Sequence, residues 1–461
     1  MRYVALAAGF DGTLARDGHC DERCIESLRA LAATGRKLIL VTGRVLRELL
    51  EIFPEARIFD YVVAENGAVM YRPATRQSAI LAQAPPEILL QELQRRQVTP
   101  MSVGSSSITT LQTGREQIRE ALHKLGLDFQ IMSSDGVLSV LPAGVDKAYG
   151  VKAVLKELGV SHHNLVAIGD GENDIALFGL AEHAAAVRNA DPALKRVADR
   201  TTHGAWCDGF LEFAHELIAT DLAAVSPRRR IVLGRADDST EISIAPCRDS
   251  FLICGSRGAG KASLCEGLLN QLLAQDYQCC VIEAEIDSVR SVRSGLTEFG
   301  EAHEAPRLTD VLNALEQPGV SVAINLAALA VETRPVFTEA LMLQLQALHD
   351  RVGRPHVILI NQAHSFLGRE SASSTTRLSE ITMIYATAEP QLLPAQITDS
   401  VKLVVALGAT DDLPQALRAR VSARVQTTAA GGEVCRMSVF RPDSCGVDLI
   451  SSAGAASVSG Y

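Results

Sequence analysis

The stretch Val4-Ala5-Leu6-Ala7-Ala8-Gly9-Phe10-Asp11-Gly12-Thr13-Leu14 decides how the chain is read. An apolar run, Val4 to Ala8, stops abruptly at a glycine-bearing loop. That is the pattern of a short strand buried on both faces of a parallel sheet. In open α/β sheets ligands gather outside the carboxyl ends of the strands, and Asp11 stands at such an end. Gly12 and Thr13 follow, where the backbone has to turn tightly.

The segments after it continue the alternation of strand and helix. Glu22 to Thr34 reads as a helix with Ile25, Leu28, Leu31 and Ala32 on one face, closed by Gly35. Lys37 to Val41 is a second buried strand, ending at Thr42-Gly43-Arg44. Taken alone, Thr42 would cap a helix from Val45 to Ile52. Tyr61 to Tyr71 is two short strands around Glu65-Asn66-Gly67, and Asn-Gly is a hairpin signal. Residues from about 75 to 143 read as an insertion. It holds helices at Pro86–Arg96 and Arg115–Leu125 and strands at Ser107–Leu111, Phe129–Met132 and Val137–Leu141. Gly144-Val145-Asp146-Lys147 then opens a helix through Leu158. A strand from Leu165 to Ile168 runs into Gly169-Asp170-Gly171-Glu172-Asn173-Asp174.

These sites, in this order, resemble the motifs of the haloacid dehalogenase (HAD) superfamily, and the insertion resembles the cap of its Cof-type phosphatases. The resemblance implies an α/β fold, a Rossmann-like three-layer core over residues 1–222 with a small α+β cap at about 75–143. It implies Asp11 as general acid/base and Thr42 as holder of a phosphoryl oxygen through its hydroxyl. It implies Lys147 as the cation that neutralises the phosphate, and a cap that selects the substrate and excludes water. Asp170 and Asp174, with Asp11 beside them, are the implied oxygen donors for Mg²⁺. One position departs from the pattern. The family's nucleophilic aspartate, also a magnesium ligand, is replaced by Gly9.

The second half begins after a linker at 223–230 that carries Pro227 and Arg228-Arg229-Arg230, read as a solvated joint. Short strands are expected at Ile231–Gly234 and Glu241–Ile244. Ser250 to Cys254 then leads into Gly255-Ser256-Arg257-Gly258-Ala259-Gly260-Lys261-Ala262-Ser263. Strand, glycine loop and helix are the context of a P-loop, whose N–H groups cradle phosphates while its lysine reaches their oxygens. Ala262 replaces the Ser/Thr that binds Mg²⁺, and Ser263 is one place, about 100° of helix, too late. Further strands are read at Tyr277–Ile282, Val320–Leu326, Thr382–Ala386 and Val401–Leu407, with a helix at Thr338–Arg351. His356 to Ile360 precedes Asn361-Gln362-Ala363-His364, which looks like a Walker B strand with both acidic residues amidated. These parts resemble the FtsK/HerA-like branch of P-loop ATPases. That implies a P-loop NTPase-like α/β domain at 231–440, with a parallel sheet of five or six strands and a frayed tail at 441–461. The implied ligand is ATP or another nucleoside triphosphate, held by Gly255, Gly258, Gly260, Lys261, Ser263, Asn361 and Gln362.

Composition bounds the partners. The chain has 461 residues, enough for two or three domains, with 47% hydrophobic and 21% charged residues. A net charge of −10 provides no global field for nucleic acid or membrane. No apolar run of about 20 residues suggests a span and no leader is visible, so a cytoplasmic location is expected. The ten cysteines lack C-x-x-C or zinc spacing and read as reduced. His162-His163 reads as a loop pair. Self-association through the P-loop module is left open.

Three functions compete. Gly9, Ala262, Asn361 and Gln362 all depart at chemistry while the framing glycines and lysines remain, which favours a pseudoenzyme that binds phosphorylated ligand or nucleotide. The alternative is a Mg²⁺-dependent phosphohydrolase of a small phosphorylated metabolite of the sugar phosphate type. A nucleic-acid-associated ATPase is the third reading.

Overall fold

In the computed structural model the run at the amino terminus becomes strand β1 (Ala5–Gly9), with every residue buried. The structure describes residues 1–134, 136–223, 228–236, 241–246, 250–284, 295–367 and 380–407, and the backbone of 421–428 and 434–440. It divides into two units, Tyr3–Arg228 and a second that contains Arg229 onwards together with Met1–Arg2.

In the first unit β1 is followed by a small hairpin, β2 (Ala15–Arg16) and β3 (His19–Cys20). Helix α1 (Glu22–Ala33) starts at Asp21, whose carboxylate accepts the Arg23 N–H. Then come β4 (Lys37–Val41), α2 (Leu46–Ile52), β5 (Tyr61–Ala64), β6 (Val69–Arg72) and β7 (Gln77–Ile80). Next are α3 (Glu87–Arg95), β8 (Met101–Val103), β9 (Ile108–Leu111), α4 (Arg115–Leu125), β10 (Phe129–Ser134) and β11 (Val137–Pro142). The unit ends with α5 (Lys147–Leu158), β12 (Leu165–Gly169), α6 (Ile175–Leu180), β13 (His183–Ala186), α7 (Pro192–Val197), β14 (Arg200–Thr201) and α8 (Trp206–Thr220).

The main sheet runs β14-β13-β12-β1-β4-β5-β6-β7, parallel from β14 to β5 and antiparallel beyond. The cap is a four-stranded antiparallel sheet, β10-β11-β9-β8. Leu89 and Leu93 of α3 and Ile118 and Leu122 of α4 pack with Ile108, Leu138 and Val140 to give it a core of its own. The range read as insertion therefore starts too early. β7 lies inside it yet extends the main sheet through β6, and β8 was not anticipated. The Asn-Gly hairpin forms, but with four residues between the paired Ala64 and Val69. Thr42 does not cap α2, which starts at Val45 without a side-chain cap; its hydroxyl accepts the Arg44 N–H at 3.1 Å.

The linker and the histidine pair are both held by specific contacts. Half-buried Arg228 is tied down, unlike a freely solvated linker residue: it donates to Asp199 and the Val197 carbonyl at 2.8 Å each, and to the Phe178 carbonyl. His163, in the short turn between α5 and β12, is fully buried beside the Glu182 carboxylate, 2.8 Å away. The seven described cysteines are free and buried. Among the described residues no helix is long and apolar enough to cross a membrane.

The second unit contains β15 (Ile231–Ala236), β16 (Glu241–Ile244), β17 (Phe251–Gly255), α9 (Lys261–Ala274), β18 (Cys279–Glu283) and β19 (Leu296–Phe299). It continues with α10 (Leu308–Leu315), β20 (Ser321–Asn325), α11 (Arg334–Val352), β21 (Val357–Asn361), β22 (Thr382–Thr387), α12 (Ala395–Ser400), β23 (Leu403–Leu407), β24 (Val421–Thr428) and β25 (Val434–Phe440). The sheet order is β16-β15-β24-β25-β23-β17-β22-β21-β18-β20-β19. Among the described residues seven strands, β23 through β19 in that order, are parallel, one or two more than read from sequence. The extra one is β19, a half-exposed edge strand whose Leu-Thr-Glu-Phe carries no continuous apolar run. Two apolar layers sandwich the sheet, one centred on Leu341, Leu345 and Ile358, the other on Leu268, Leu272 and Ile253. Residues 224–227 and 441–461 of the expected linker and tail lie outside the described residues.

His349 of α11 lies within the first of these layers' helices, 2% exposed, with Nδ1 3.3 Å from the Pro355 carbonyl. Burial disfavours the imidazolium and pushes its pKa down to about 4. The unfolded chain takes up that proton near the ordinary value. The contribution to stability is therefore complete above about pH 6.5 and is lost as pH falls towards 4. Denaturant titrations of the full chain at pH 7 and pH 4.5 should differ by about 2 to 3 kcal/mol from this group. His349→Leu should remove that part of the difference, and an unchanged difference would show that the histidine does not carry it.

Candidate active site

The order of the first sheet sets the position of the site. From β1 the chain crosses to β4 on one side, while from β12 it crosses to β13 on the other. The crevice outside the carboxyl ends of β1 and β12 is where such a sheet binds ligands. Asp11 follows β1 and Asp170 follows β12. Gly12 has φ +74°, and a Cβ there would lie 1.8 Å from Asp170 Oδ2, so only glycine lets the two loops approach. Thr13, fully buried, donates from Oγ1 to Asp170 Oδ1 at 2.9 Å.

Thr42 at the end of β4 and Lys147 at the start of α5 border the same crevice. Asp146 caps α5 by accepting the Tyr149 N–H at 2.8 Å. The Lys147 ammonium, 6% exposed, donates to Asp174 Oδ1 at 2.7 Å and to Asn173 Oδ1 at 3.1 Å. Asp174 is fully buried, and its Oδ2 accepts the N–H groups of Asp170 and Gly171 at 3.1 Å each. A buried carboxylate is tolerable when its lone pairs are matched in this way.

Asp11 faces Arg44. The guanidinium donates from Nε to Oδ2 at 2.8 Å and from Nη2 to Oδ1 at 2.7 Å, a bidentate fork. The hydrogen bonds to Asp11 raise the Arg44 pKa above its ordinary value. Arg44 was quoted in the sequence but given no role. Its signal, a cation two residues beyond Thr42, has no meaning until the fold brings β1 and β4 side by side.

Gly9 closes β1 in ordinary strand pairing with Val41. A Cβ there would stand 2.9 Å from Thr13 Oγ1, so the Thr13 hydroxyl crowds the place where a nucleophile's side chain would begin. Each carboxylate expected at Mg²⁺ has a partner within the protein. Asp11 pairs with Arg44, Asp174 with Lys147 and two backbone amides, and Asp170 with Thr13. Among the described residues no three His, Cys, Asp or Glu side chains lie close enough together to hold a metal. Asp170 and Asp174, adjacent in the loop after β12, are the residues that would hold Mg²⁺.

In the second unit the loop between β17 and α9 also lies at a carboxyl edge. Strand β17 sits between β23 and β22, and its chain successor β18 lies beyond β21. Gly260 has φ +93° immediately before α9 begins, and Lys261 folds back to donate to the carbonyls of Gly255 and Ser256 at 2.8 Å each. Burial lowers the Lys261 pKa. Gly258 is left-handed, and Gly255 leaves no room for a Cβ beside the Leu407 carbonyl. Ala262 is exposed and Ser263 half-buried. Asn361 ends β21 and Gln362 follows it on the same edge, with β22 between them and β17. His364 was not singled out; its Nδ1 lies 2.8 Å from Thr387 Oγ1 at the end of β22.

The model of the haloacid dehalogenase-like hydrolase family matches residues 6–95 and 87–213. Phosphoglycolate phosphatase of Natronomonas pharaonis is 32% identical over 219 residues, which cover 45% of this chain and 94% of that protein. Phosphoglycolate phosphatase of Methanothermobacter thermautotrophicus is 26% identical over 216 residues, covering 45% and 96%. A haloacid dehalogenase-like hydrolase of solved structure from Bacteroides thetaiotaomicron, at 19% identity, spans 47% of this chain and 99% of its own, with a TM-score of 0.41. An identity of 32% along nearly the whole of a relative makes this chain a member of the haloacid dehalogenase-like hydrolases, by virtue of its first unit.

Proposed function

We propose that the first unit holds the phosphoryl group of a small phosphorylated metabolite between Thr42 and Lys147, as a phosphohydrolase whose turnover is limited by the glycine at residue 9. The likeness to phosphatases of phosphoglycolate supports the substrate class and favours hydrolysis over a purely binding role. The observation that carries the limit is Gly9. Without a carboxylate there, no phospho-aspartate forms, and water has to attack phosphorus directly. Asp11 is the group that can take the proton from that water and return it to the oxygen leaving phosphorus. Its fork with Arg44 aims the carboxylate. Binding without turnover is the second reading, and the same glycine favours it.

Removing a nucleophile costs on the order of 10⁶ in kcat where it has been measured in another hydrolase. Phosphoglycolate hydrolysis by the unmodified chain should accordingly be slow and abolished by Asp11→Asn. Gly9→Asp should raise turnover by orders of magnitude. It should also cost about 1 kcal/mol of stability, because Thr13 must rotate and give up its bond to Asp170. Phosphoglycolate that binds but is never hydrolysed, even by Gly9→Asp, would leave only the binding reading. Turnover at the rate of an ordinary phosphatase in the unmodified chain would refute the limit.

The second unit is proposed to bind a nucleoside triphosphate at Gly255–Ser263. The turn at Gly260 into α9, with Lys261 folded beside it, supports this reading. Ala262 lacks the metal-binding hydroxyl, and the amides of Asn361 and Gln362 cannot accept a proton from water at neutral pH. Calorimetry with ATP should show weak binding that depends little on Mg²⁺ and disappears in Lys261→Ala, with scarcely any hydrolysis. Binding unchanged in that variant would mean that the loop is not the site.

A further inference from the structure

Between β5 and β6 the chain turns through Glu65-Asn66-Gly67, and all three residues are buried. Glu65 and Asn66 hold φ values of +52° and +50°. Non-glycine residues stay in that region only where their surroundings fix them. Here the surroundings come from every part of the site. The Asn66 N–H donates to the Thr42 carbonyl and the Glu65 N–H to the Arg44 carbonyl, at 3.0 Å each. A Cβ on Gly67 would stand 1.8 Å from the carbonyl of Asp146, the cap of the helix that carries Lys147.

The side chains reach further. Lys147 Nζ donates to Asn173 Oδ1 at 3.1 Å, Asn173 Nδ2 to Asn66 Oδ1 at 2.9 Å, and Asn66 Nδ2 to Ser139 Oγ at 3.0 Å. Each amide accepts on one side and donates on the other, so the chain runs in a single direction from the ammonium to the cap strand β11. Bonds arranged head to tail in a buried site polarise one another. Asn66 is 2% exposed and Ser139 7%, so water has little access to replace either partner. Glu65 grips the cap at a second place. Its carboxylate, fully buried, accepts the N–H groups of Ser105 and Ser106 at 3.0 and 2.9 Å and the Ser107 hydroxyl at 2.8 Å. A Cβ on Gly104 would come within 2.4 Å of that carboxylate.

We propose that Asn66 is a positioning residue that relays the docked position of the cap, latched by Glu65, to Asn173 and so to the phosphate-holding Lys147. The proposal rests on the reading of Lys147 as the phosphate cation. Loss of the Ser139 hydroxyl leaves the Asn66 amide buried without its acceptor. The amide then turns, Asn173 loses its partner, and Lys147 is held by Asp174 alone.

The test uses the full chain with ¹⁵N-labelled asparagine, the Asn173 side-chain amide being assigned through Asn173→Asp. Ser139→Ala should shift that amide resonance, although Ser139 does not touch Asn173, and should weaken binding of inorganic phosphate by about five- to tenfold. Ser139→Thr, which keeps the hydroxyl, should restore both. In an Asn66→Ala background Ser139→Ala should add nothing. Glu65→Gln should speed hydrogen exchange at the Ser105 and Ser106 amides at least tenfold. An unmoved Asn173 amide in Ser139→Ala would overturn the relay, even if thermal stability fell, because it would make Ser139 a packing partner only. Unchanged exchange at Ser105 and Ser106 would overturn the latch. If the unmodified chain bound no phosphate, the phosphate-site reading would fall, and the amide shift would still decide whether the relay exists.

Discussion

The buried pair of Lys147 and Asp174 is the interaction on which the first unit's site depends. Neither side chain can be hydrated there, so each charge needs partners within the protein. Asp174 finds them in the amides of Asp170 and Gly171 and in the ammonium. That fixes the loop after β12, and with it the direction of Asp170. Lys147 is the first residue of α5, so the same pair pins that helix against the sheet. Taking away either partner would leave a buried charge unpaired, at a cost on the order of 3–5 kcal/mol. The crevice is thus held open by electrostatics that do not need the residue at position 9.

This explains how a site can keep its shape when its nucleophile is absent. Gly9 contributes strand pairing and little else, and Thr13 fills the adjacent space while bonding Asp170. Asp11, which would otherwise sit near another carboxylate, is matched by Arg44 instead. The charges of the site therefore balance in pairs, Asp11 with Arg44 and Asp174 with Lys147. On the proposed reading of Gly255–Ser263 as a nucleotide site the same division would hold, since the Gly260 turn and Lys261 are in place while Ala262, Asn361 and Gln362 carry no hydroxyl or carboxylate.

Much of this was legible in the sequence wherever one residue type has one physical use. Apolar runs gave the buried strands, Gly12 a turn no other residue could make, and Asp146-Lys147 the start of a helix. What was not legible depends on proximity between distant segments. The Arg44–Asp11 fork joins two strand ends 33 residues apart in sequence, and the Asn173–Asn66 bond spans 107. An asparagine reads as a turn former until its amide is seen to be buried. β7 falls inside the range read as insertion, and its Gln-Ser-Ala-Ile, mostly exposed at the sheet edge, has no buried-strand pattern. β19 escaped for the same reason in the second unit.

The central claim is that the phosphoryl group is held at the carboxyl ends of β1 and β12 by a frame that survives without a nucleophile. The most direct measurement is a crystal structure of the full chain soaked with inorganic phosphate. The account predicts phosphate within hydrogen-bonding distance of the Thr42 hydroxyl and the Lys147 ammonium, with the Lys147–Asp174 pair intact. Phosphate bound elsewhere on the first unit, with that crevice empty at saturating concentration, would contradict it.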